Sequence, residues 1–294
     1  MINVQKSFQS KDFNSGNLYL VATPIGNLED MTYRAVKILR EVDIVAAEDT
    51  RNTRKLLTHF DIKTKCVSYH EHNKEASGPE LIRLLIEGKN VALVSDAGLP
   101  AISDPGQELV QSAIEHHINV IAVPGANAAL SALIVSGLST NSFTFIGFLP
   151  REKKHAIQLL ESYKNVTESL IFYESPHRVR KTLDLLIEAF GDRKVVLARE
   201  LTKKHEEVLR GHISEAIAWY KDIDPMGEYC IILEGIDEAG ILKVQEEANA
   251  WWQQLTLEEH VTHYEATLAR KEAIKQVAQD RGLSKRDVYN KVNR

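Results

Sequence analysis

The residues whose types and spacing best suit ligand chemistry lie between Asn90 and Gln107, in the stretch NVALVSDAGLPAISDPGQ. The apolar run Val91–Val94 is typical of a strand buried on both faces, and the small residues Ser95–Gly98 follow where such a strand ends. Asp104 and Pro105 then predict a helix start, with Asp104 as its cap. Because open α/β sheets bind ligands in loops at strand carboxyl ends, this loop is the first predicted ligand site.

Further polar loops follow the other predicted strands: TPIGNL, EDTR, YHEH, PGANA, YESPHR and ELTK. They supply carboxylates, imidazoles and amines that can act as general acids or bases. The fingerprint G-x-G-x-x-G and the Walker sequence are absent from the chain. His70 and His72 have no further ligands at a supporting spacing, so no metal site is predicted, and a role at the surface or facing a binding partner is favoured for the pair.

Strand and helix patterns alternate through the first half of the chain and predict a mainly parallel sheet flanked by helices. The second half is joined partly by short turns and predicts a mixed sheet. In its YESPHR loop, Ser175 and Pro176 predict a helix start. From about Ile241 the pattern is helical only, and Thr256 with Glu259 predicts a capping box. Ten strands are predicted, at 18–22, 44–47, 66–69, 91–94, 120–123, 143–148, 169–173, 194–198, 206–209 and 228–233.

These patterns predict four parts: a mobile tail over 1–16, an N-terminal α/β domain over 17–138, a C-terminal α/β domain over 139–240, and a helical appendix over 241–294 that resembles a helix-turn-helix. The active cleft is expected between the two sheets, because ligand sites favour domain interfaces.

Composition excludes several classes of protein. The chain has 294 residues, 44% hydrophobic and 26% charged, as in ordinary soluble domains. Its net charge of −5 argues against a protein that coats nucleic acid by charge alone. Two distant cysteines, Cys66 and Cys230, make a disulfide framework or structural zinc unexpected. The polar first sixteen residues and an apolar region broken at Pro124 predict a cytoplasmic protein without a signal peptide or a membrane span.

Residues 17–235 resemble the tetrapyrrole methylase superfamily. The resemblance lies in TPIGNLEDMTYRA, AEDTRNT, VSDAGLPAISDPG, VPGANAAL, FYESPHR and ELTKKHEE. Within the superfamily these motifs are similar to those of the bacterial ribosomal RNA small subunit (cytidine-2′-O)-methyltransferases, and the C-terminal helices resemble the small appendix of that group. The resemblance implies an α/β fold of two tetrapyrrole-methylase-type domains with an active cleft between them and a small all-helical appendix. It also implies a homodimer.

The resemblance further implies S-adenosylmethionine as the methyl donor, folded into the cleft. The usual G-D-P tripeptide of the superfamily is replaced here by D-A-G-L-P, so the residue in the Asp role depends on the alignment, and Asp96 is assigned to it. Carried over by motif, the residues implied to contact the donor are Pro24, Asp96, Ala97, Gly98, Ile102, Asn127, Ala128, Glu174 and Gly211.

The implied reaction methylates the ribose 2′-hydroxyl of a cytidine in small-subunit ribosomal RNA, within the assembled subunit. Because a 2′-hydroxyl is weakly acidic, a base or cation should help to remove its proton. The candidates for that role are Asp49, Arg51, His70, Glu174 and Lys203. Two alternatives stay open: C-methylation of a tetrapyrrole precursor, and a non-enzymatic protein that binds nucleic acid through its C-terminal helices.

Basic residues predict the RNA contacts. Residues 266–294 hold eight Lys or Arg against three acids, in a chain of negative net charge. His177 and Arg178 are expected either to contact RNA or to form an exposed first helical turn, and the tail is expected either to bind RNA or to be a charged, solvated helix. The full set of predicted RNA contacts is His177, Arg178, Arg270, Lys271, Lys275, Lys285 and Arg286.

Overall fold

A computed structural model describes residues 4–6, 15–237, 239–242 and 251–292, with the backbone only for Trp251 and Gln254. The chain divides into two compact units, one of residues 1–164 with 168–235 and one of 165–167 with 236–294. Most of the predicted mobile tail, residues 1–3 and 7–14, lies outside the described residues, and the four-part division stays a prediction. No helix in the described ranges is long and apolar enough to cross a membrane.

The first sheet is parallel throughout, as predicted, with the strand order β3-β2-β4-β1-β5. Its strands are β1 (Asn17–Val21), β2 (Ile44–Ala47), β3 (Lys65–Ser68), β4 (Val91–Val94) and β5 (Asn119–Val123). The helices that connect them are α1 (Tyr33–Glu41), α2 (Thr50–His59), α3 (Lys74–Ile86) and α4 (Gln107–Glu115). Every residue of β2 and β4 is buried, because helices cover both faces of the sheet. All five carboxyl ends therefore meet at one edge.

The second sheet is mixed, as predicted, with the order β6-β7-β10-β8-β9. Its strands are β6 (Phe143–Phe148), β7 (Ser169–Glu174), β8 (Lys194–Arg199), β9 (Glu207–His212) and β10 (Tyr229–Leu233). Strands β6 and β7 run parallel, and the other neighbours pair antiparallel. The helices in this half are α6 (Lys153–Ser162), α7 (Val179–Phe190) and α8 (Ile213–Trp219).

Helix α5 (Ala128–Ser136) joins the two sheets. It leaves β5 of the first sheet, yet Ala129 and Leu133 pack into the core of the second sheet, against Ile171 and Cys230. Leu138, at the predicted boundary between the two α/β domains, also packs against the core of the second sheet.

The second unit is helical, as predicted. A 3₁₀ turn (Trp251–Gln254) precedes α9 (Leu257–Glu265), α10 (Arg270–Asp280) and α11 (Lys285–Val292). The predicted capping box is confirmed: Glu259 N donates to Thr256 Oγ1 at 3.2 Å, and Thr256 N donates to Glu259 Oε2 at 2.8 Å. The core of this unit joins Val261, Ile274, Val277 and Val288.

Two predicted helix starts are wrong. Helix α4 begins after Gly106, whose φ of 147° only glycine adopts readily, and Asp104 does not cap it. Helix α7 begins at Val179 rather than at Pro176, and Ser175 and Pro176 form a turn in front of it. In both places the sequence Ser/Asp-Pro matches a helix start, but the dipeptide lies in the loop before the helix.

Candidate functional site

A cavity of about 520 Å³ lies at the carboxyl edge of the first sheet and is bounded on its other side by the second sheet, within the first unit. Most of its wall comes from the loop after β4, the turn before α5, the end of β7 and the loop after β8. Ile25, Glu48, Phe148 and the start of β10 complete it. Eight of the predicted site residues line it together: Asp96, Ala97, Gly98, Ile102, Asn127, Ala128, Glu174 and Lys203.

The loop after β4 is held in a constrained conformation. Thr23 and Gly98 exchange two backbone hydrogen bonds of 2.9 and 3.0 Å, which tie this loop to the end of β1. Ala101 and Ser103 both have positive φ, at 67° and 63°. Non-glycine residues in this region cost energy and persist only when their surroundings impose them. The tertiary contacts therefore hold the loop in a single shape that faces the cavity.

Three carboxylates, Glu48, Asp96 and Asp104, line one side of the cavity. Burial, together with the neighbouring charges of Glu48 and Asp96, raises the pKa of Asp104 to about 6, against a hydrogen bond from Ser95 that lowers it. Burial, and then the charge of Asp96, also raises the pKa of Glu48. This wall therefore concentrates negative charge, and a cationic ligand would reduce the repulsion between its carboxylates.

Sequence reasoning missed Glu48 and Asp104 as site residues. Glu48 stood in the polar EDTR loop but was passed over in favour of Asp49 and Arg51. Asp104 was interpreted as a helix cap. The available signal was position: both residues follow strands, β2 and β4, that prove to be neighbours.

Glu174 closes the other side of the cavity from the end of β7. Its side chain is buried, with 2% of the residue exposed. Ser175 N donates to Oε1 at 2.8 Å and Thr182 Oγ1 donates to Oε2 at 2.7 Å, while the Arg178 guanidinium lies 3.5 Å from Oε1. A buried carboxylate with both oxygens satisfied is a rigid wall element.

Tyr173 and Asn127 fix the start of α5 beside the cavity. The backbone N–H of Ala129 donates to the Tyr173 hydroxyl at 3.2 Å, and Leu130 N donates to Asn127 Oδ1 at 2.8 Å. Burial raises the pKa of Tyr173 to about 12, so the hydroxyl stays neutral. The helix start is therefore anchored from both sheets.

Lys203 contributes a cation that is already paired. Its Nζ donates to Glu200 at 2.8 Å and to Glu228 at 2.7 Å. Burial lowers the pKa of Lys203, but the hydrogen bonds to the two carboxylates outweigh this and raise it. The loop after β8, which carries Lys203, lies close to the turn between β1 and α1. A Cβ added to Gly26 in that turn would lie 2.3 Å from Lys203 Cγ. Only glycine fits at that crossing.

The remaining candidates for catalysis lie beside the cavity rather than in its wall. Arg51 Nη2 and Asp49 Oδ2 form an ion pair of 2.6 Å at the start of α2. Hydrogen bonds from Arg51 hold the pKa of Asp49 at about 2. His70 follows β3, the strand that pairs with β2, and Glu48 follows β2. Within the described residues, His70 Nδ1 is buried without a hydrogen-bond partner.

Two predicted donor contacts also lie outside the described cavity lining. Pro24 lines a separate depression that adjoins the cavity at Asp96. Gly211 lies on the edge strand β9, opposite Val195.

The predicted RNA contacts differ in how they are engaged. His177 is exposed in the turn before α7, whereas the Arg178 guanidinium donates to the Leu149 carbonyl at 2.7 Å and so supports the end of β6. In the second unit Arg270 pairs with Glu265 at 2.8 Å. The other four are exposed lysines and an arginine: Lys271, Lys275, Lys285 and Arg286.

No group of three His, Cys, Asp or Glu side chains in the described ranges is placed to hold a metal ion. The cavity combines carboxylates with apolar side chains, among them Ile25, Leu99, Phe148 and Leu201. Its volume lies in the range of pockets that enclose a small organic ligand. This arrangement suits a ligand that carries positive charge at one part and an apolar ring at another.

The two sheets and the cavity at their strand ends point to the class of protein to which the chain belongs. The model of the tetrapyrrole (corrin/porphyrin) methylases matches residues 17–217. The chain therefore belongs to the tetrapyrrole methylase family. A solved structure of cobalt precorrin-4 methyltransferase, a cobalamin biosynthetic enzyme, covers 74% of this chain and 94% of its own with a TM-score of 0.58 and 17% identity, which concerns the fold alone.

Curated relatives are much more similar in sequence. The ribosomal RNA small subunit methyltransferase I of Halalkalibacterium halodurans is 59% identical over 98% of both chains. The protein of that name from Bacillus subtilis is 51% identical over 99% of this chain and 98% of its own. The resemblance inferred from the sequence motifs is confirmed.

Proposed function

We propose that this protein transfers a methyl group from S-adenosylmethionine to the ribose 2′-hydroxyl of a cytidine in small-subunit ribosomal RNA. The observation that carries the proposal is the cavity with its carboxylate wall, in a chain whose relatives over nearly full length are named ribosomal RNA small subunit methyltransferases. The substrate is the assembled small subunit, and the active form is a cytoplasmic homodimer.

The residues of the cavity fit this donor. When bound, S-adenosylmethionine supplies an electrophilic methyl group on a sulfonium sulfur. Glu48, Asp96 and Asp104 offer negative charge to its cationic sulfur and amino groups. Ile102 and Phe148 offer apolar surface to the adenine ring, and the Asn127–Ala128 turn and Glu174 close the pocket. The contact assigned to Gly211 rests on the motif resemblance alone, and that of Pro24 on the adjoining depression.

Alignment and exclusion of water account for most of the catalysis in such a displacement. Of the five candidates for handling the hydroxyl proton, Asp49 and Arg51 are paired with each other, Lys203 with two carboxylates, and Glu174 has both oxygens satisfied. The ring nitrogen Nδ1 of His70 is buried and has no hydrogen-bond partner among the described residues. Because that nitrogen is buried and His70 does not line the cavity, we propose the role for this group of five residues rather than for His70 alone. No metal ion takes part.

Transfer of radioactive methyl groups tests the proposal. The purified protein is incubated with labelled S-adenosylmethionine and small subunits from cells that lack the enzyme, and the labelled nucleoside is identified by mass spectrometry. We expect a 2′-O-methylcytidine. Label in an added precorrin instead would favour C-methylation of a tetrapyrrole, and the absence of donor binding in calorimetry would favour a non-enzymatic nucleic-acid-binding protein.

A further inference from the structure

We propose that the groove between α2 and the loop after β8 holds the RNA strand that carries the acceptor ribose. This acceptor groove consists of two depressions, one around Pro24, Asn52 and Lys55 and one around His59 and Lys204. The inference rests on the proposed function and assigns a place and a chemistry to its second substrate.

The two depressions and the donor cavity form one continuous path. Asp96 lines both the cavity and the first depression. Gly26 and Leu28 line both depressions, and Lys203 lines both the second depression and the cavity. A strand that follows the groove therefore passes the donor cavity at Asp96 and again at Lys203.

Helix α2 presents a basic, polar face to this path. Its sequence TRNTRKLLTH contains two Arg, one Lys and one His, and no acid. Asn52, Lys55, Leu56 and His59 follow the spacing of one helical face, and all four line the groove. Amide and imidazole groups can hydrogen-bond to bases, and an apolar side chain can pack against a base.

The lysines that line the groove differ in whether they form ion pairs with carboxylates of the protein. Lys203 is held by two carboxylates, whereas exposed Lys55 and Lys204 have no ion-pair partner among the described residues. Exposed lysines are common on soluble proteins, but these two flank a groove that leads into the donor cavity. In a chain of net charge −5, unpaired lysines along such a path match a phosphate backbone. Glu29 is the acid that lines the second depression.

The two depressions differ in size, with about 250 Å³ in the first and about 830 Å³ in the second. The smaller one adjoins the donor cavity at Asp96. Sequence-specific RNA readers bind unpaired nucleotides whose bases are turned out of the helix. We therefore infer that the acceptor nucleotide enters beside Asn52 and Asp96 while its neighbours run along α2.

A double variant, Lys55→Ala with Lys204→Ala, tests this groove against a matched control, Lys63→Ala. Lys63 is exposed, has no ion-pair partner among the described residues, and lines neither depression of the groove nor the donor cavity. Small subunits that lack the modification serve as the probe. Affinity for the subunits is measured without donor over a range of salt concentrations, KM by methyl transfer, and donor affinity by calorimetry.

We expect the double variant to bind subunits about tenfold more weakly and to show a KM raised by a similar factor. The slope of log affinity against log salt should flatten by about 1.4, which is two contacts at about 0.7 each for a single strand. Donor affinity should equal that of the wild type, and Lys63→Ala should change neither quantity. Subunit affinity and salt slope equal to those of Lys63→Ala would overturn the inference. If the wild type transfers no methyl group to subunits, the proposed function fails, and the binding measurement still decides about the groove.

Discussion

Asn52 Nδ2 donates a 3.2 Å hydrogen bond to Asp96 Oδ2, while the backbone N–H of Asp49 donates to Asp96 Oδ1 at the same distance. Both donors come from the start of α2, so this helix orients the carboxylate that lies between the donor cavity and the acceptor groove. The contact joins the loops after β2 and β4, which are adjacent strands of the first sheet.

Replacing Asp96 by Ala should weaken donor binding about tenfold or more, because a charged hydrogen-bonding group is lost from the wall of the site. Thermal unfolding should remain cooperative, since Asp96 is exposed and its loop is also held by the Thr23–Gly98 bridge. Titration calorimetry measures the affinity. Asp184→Ala, on the exposed face of α7, is the control. Donor affinity that is the same in both variants would move the site elsewhere.

Donor affinity should fall as the pH falls through about 6, the pKa of Asp104, because protonation removes a negative charge from the cavity wall. Asp104→Asn should bind donor more weakly at pH 8 and should lose this pH dependence. Calorimetry between pH 5 and 8 measures both effects. An unchanged pH profile in the variant would mean that Asp104 does not face the donor.

The same pKa predicts an effect on stability. The folded state holds the Asp104 proton up to a pH of about 6, whereas the unfolded chain releases it near 3.8, so the folded protein binds more protons between these values. The contribution of Asp104 to stability should therefore decrease as the pH rises from about 4 to about 6. Asp104→Asn should be more stable than the wild type at pH 7 by about 1 kcal/mol after allowance for solvent screening. Urea unfolding at pH 4 and 7 checks this, and a gap of equal size at both values would contradict it.

Gly106→Ala should destabilise the first unit by about 2 kcal/mol or more, because the site combines a positive φ with a close contact. The added Cβ would lie 2.8 Å from Leu93 Cδ2 and 3.0 Å from Ala101 Cβ. Gly137 is a matched control, since its φ is also positive but nothing lies within 4 Å of its added Cβ. We expect Gly137→Ala to cost about 1 kcal/mol. Equal losses in the two variants, measured by urea unfolding, would show that the close contact adds nothing.

Thr182→Val should cost about 1–3 kcal/mol of stability, because it removes the hydroxyl that donates to Glu174 Oε2 and leaves that oxygen buried. Valine keeps the shape of threonine, so packing changes little. Thr58→Val, at an exposed position of α2, provides the comparison. A melting temperature of Thr182→Val no lower than that of Thr58→Val would show that Glu174 is stabilised by its other contacts.

A chain that ends near Gly240 should bind donor with unchanged affinity but bind small subunits more weakly and with a shallower salt slope. The reason is that exposed Lys271, Lys275, Lys285 and Arg286 can release counterions from RNA phosphates. Subunit binding and methyl transfer at moderate salt measure the effect. If the shortened chain performs as well as the full one, the second unit has a structural role only.

Much of the fold and part of the site could be predicted from the sequence. The strands and the parallel first sheet follow from short apolar runs with polar loops at their ends, a pattern that depends on local burial. Because parallel strands bring their carboxyl ends to one edge, Asp96 and Asn127 could be expected near a common site. Glu174 ends a strand of the other sheet and was expected there from the motif resemblance. All three line one cavity.

Packing between segments distant in sequence decided the rest. Asp104 has a cap-like sequence context, but α4 begins after Gly106, where a Cβ would lie 2.8 Å from Leu93 Cδ2, and the Asp104 carboxylate lines the cavity. Glu48 joins that wall because β2 lies beside β4. The local pattern of apolar and polar residues is enough to predict which residues end strands and which family the chain resembles. Which of those residues share a cavity depends on strand order and on contacts between distant loops. The raised pKa of Asp104 depends on the same packing, since it follows from burial and from charges on other loops.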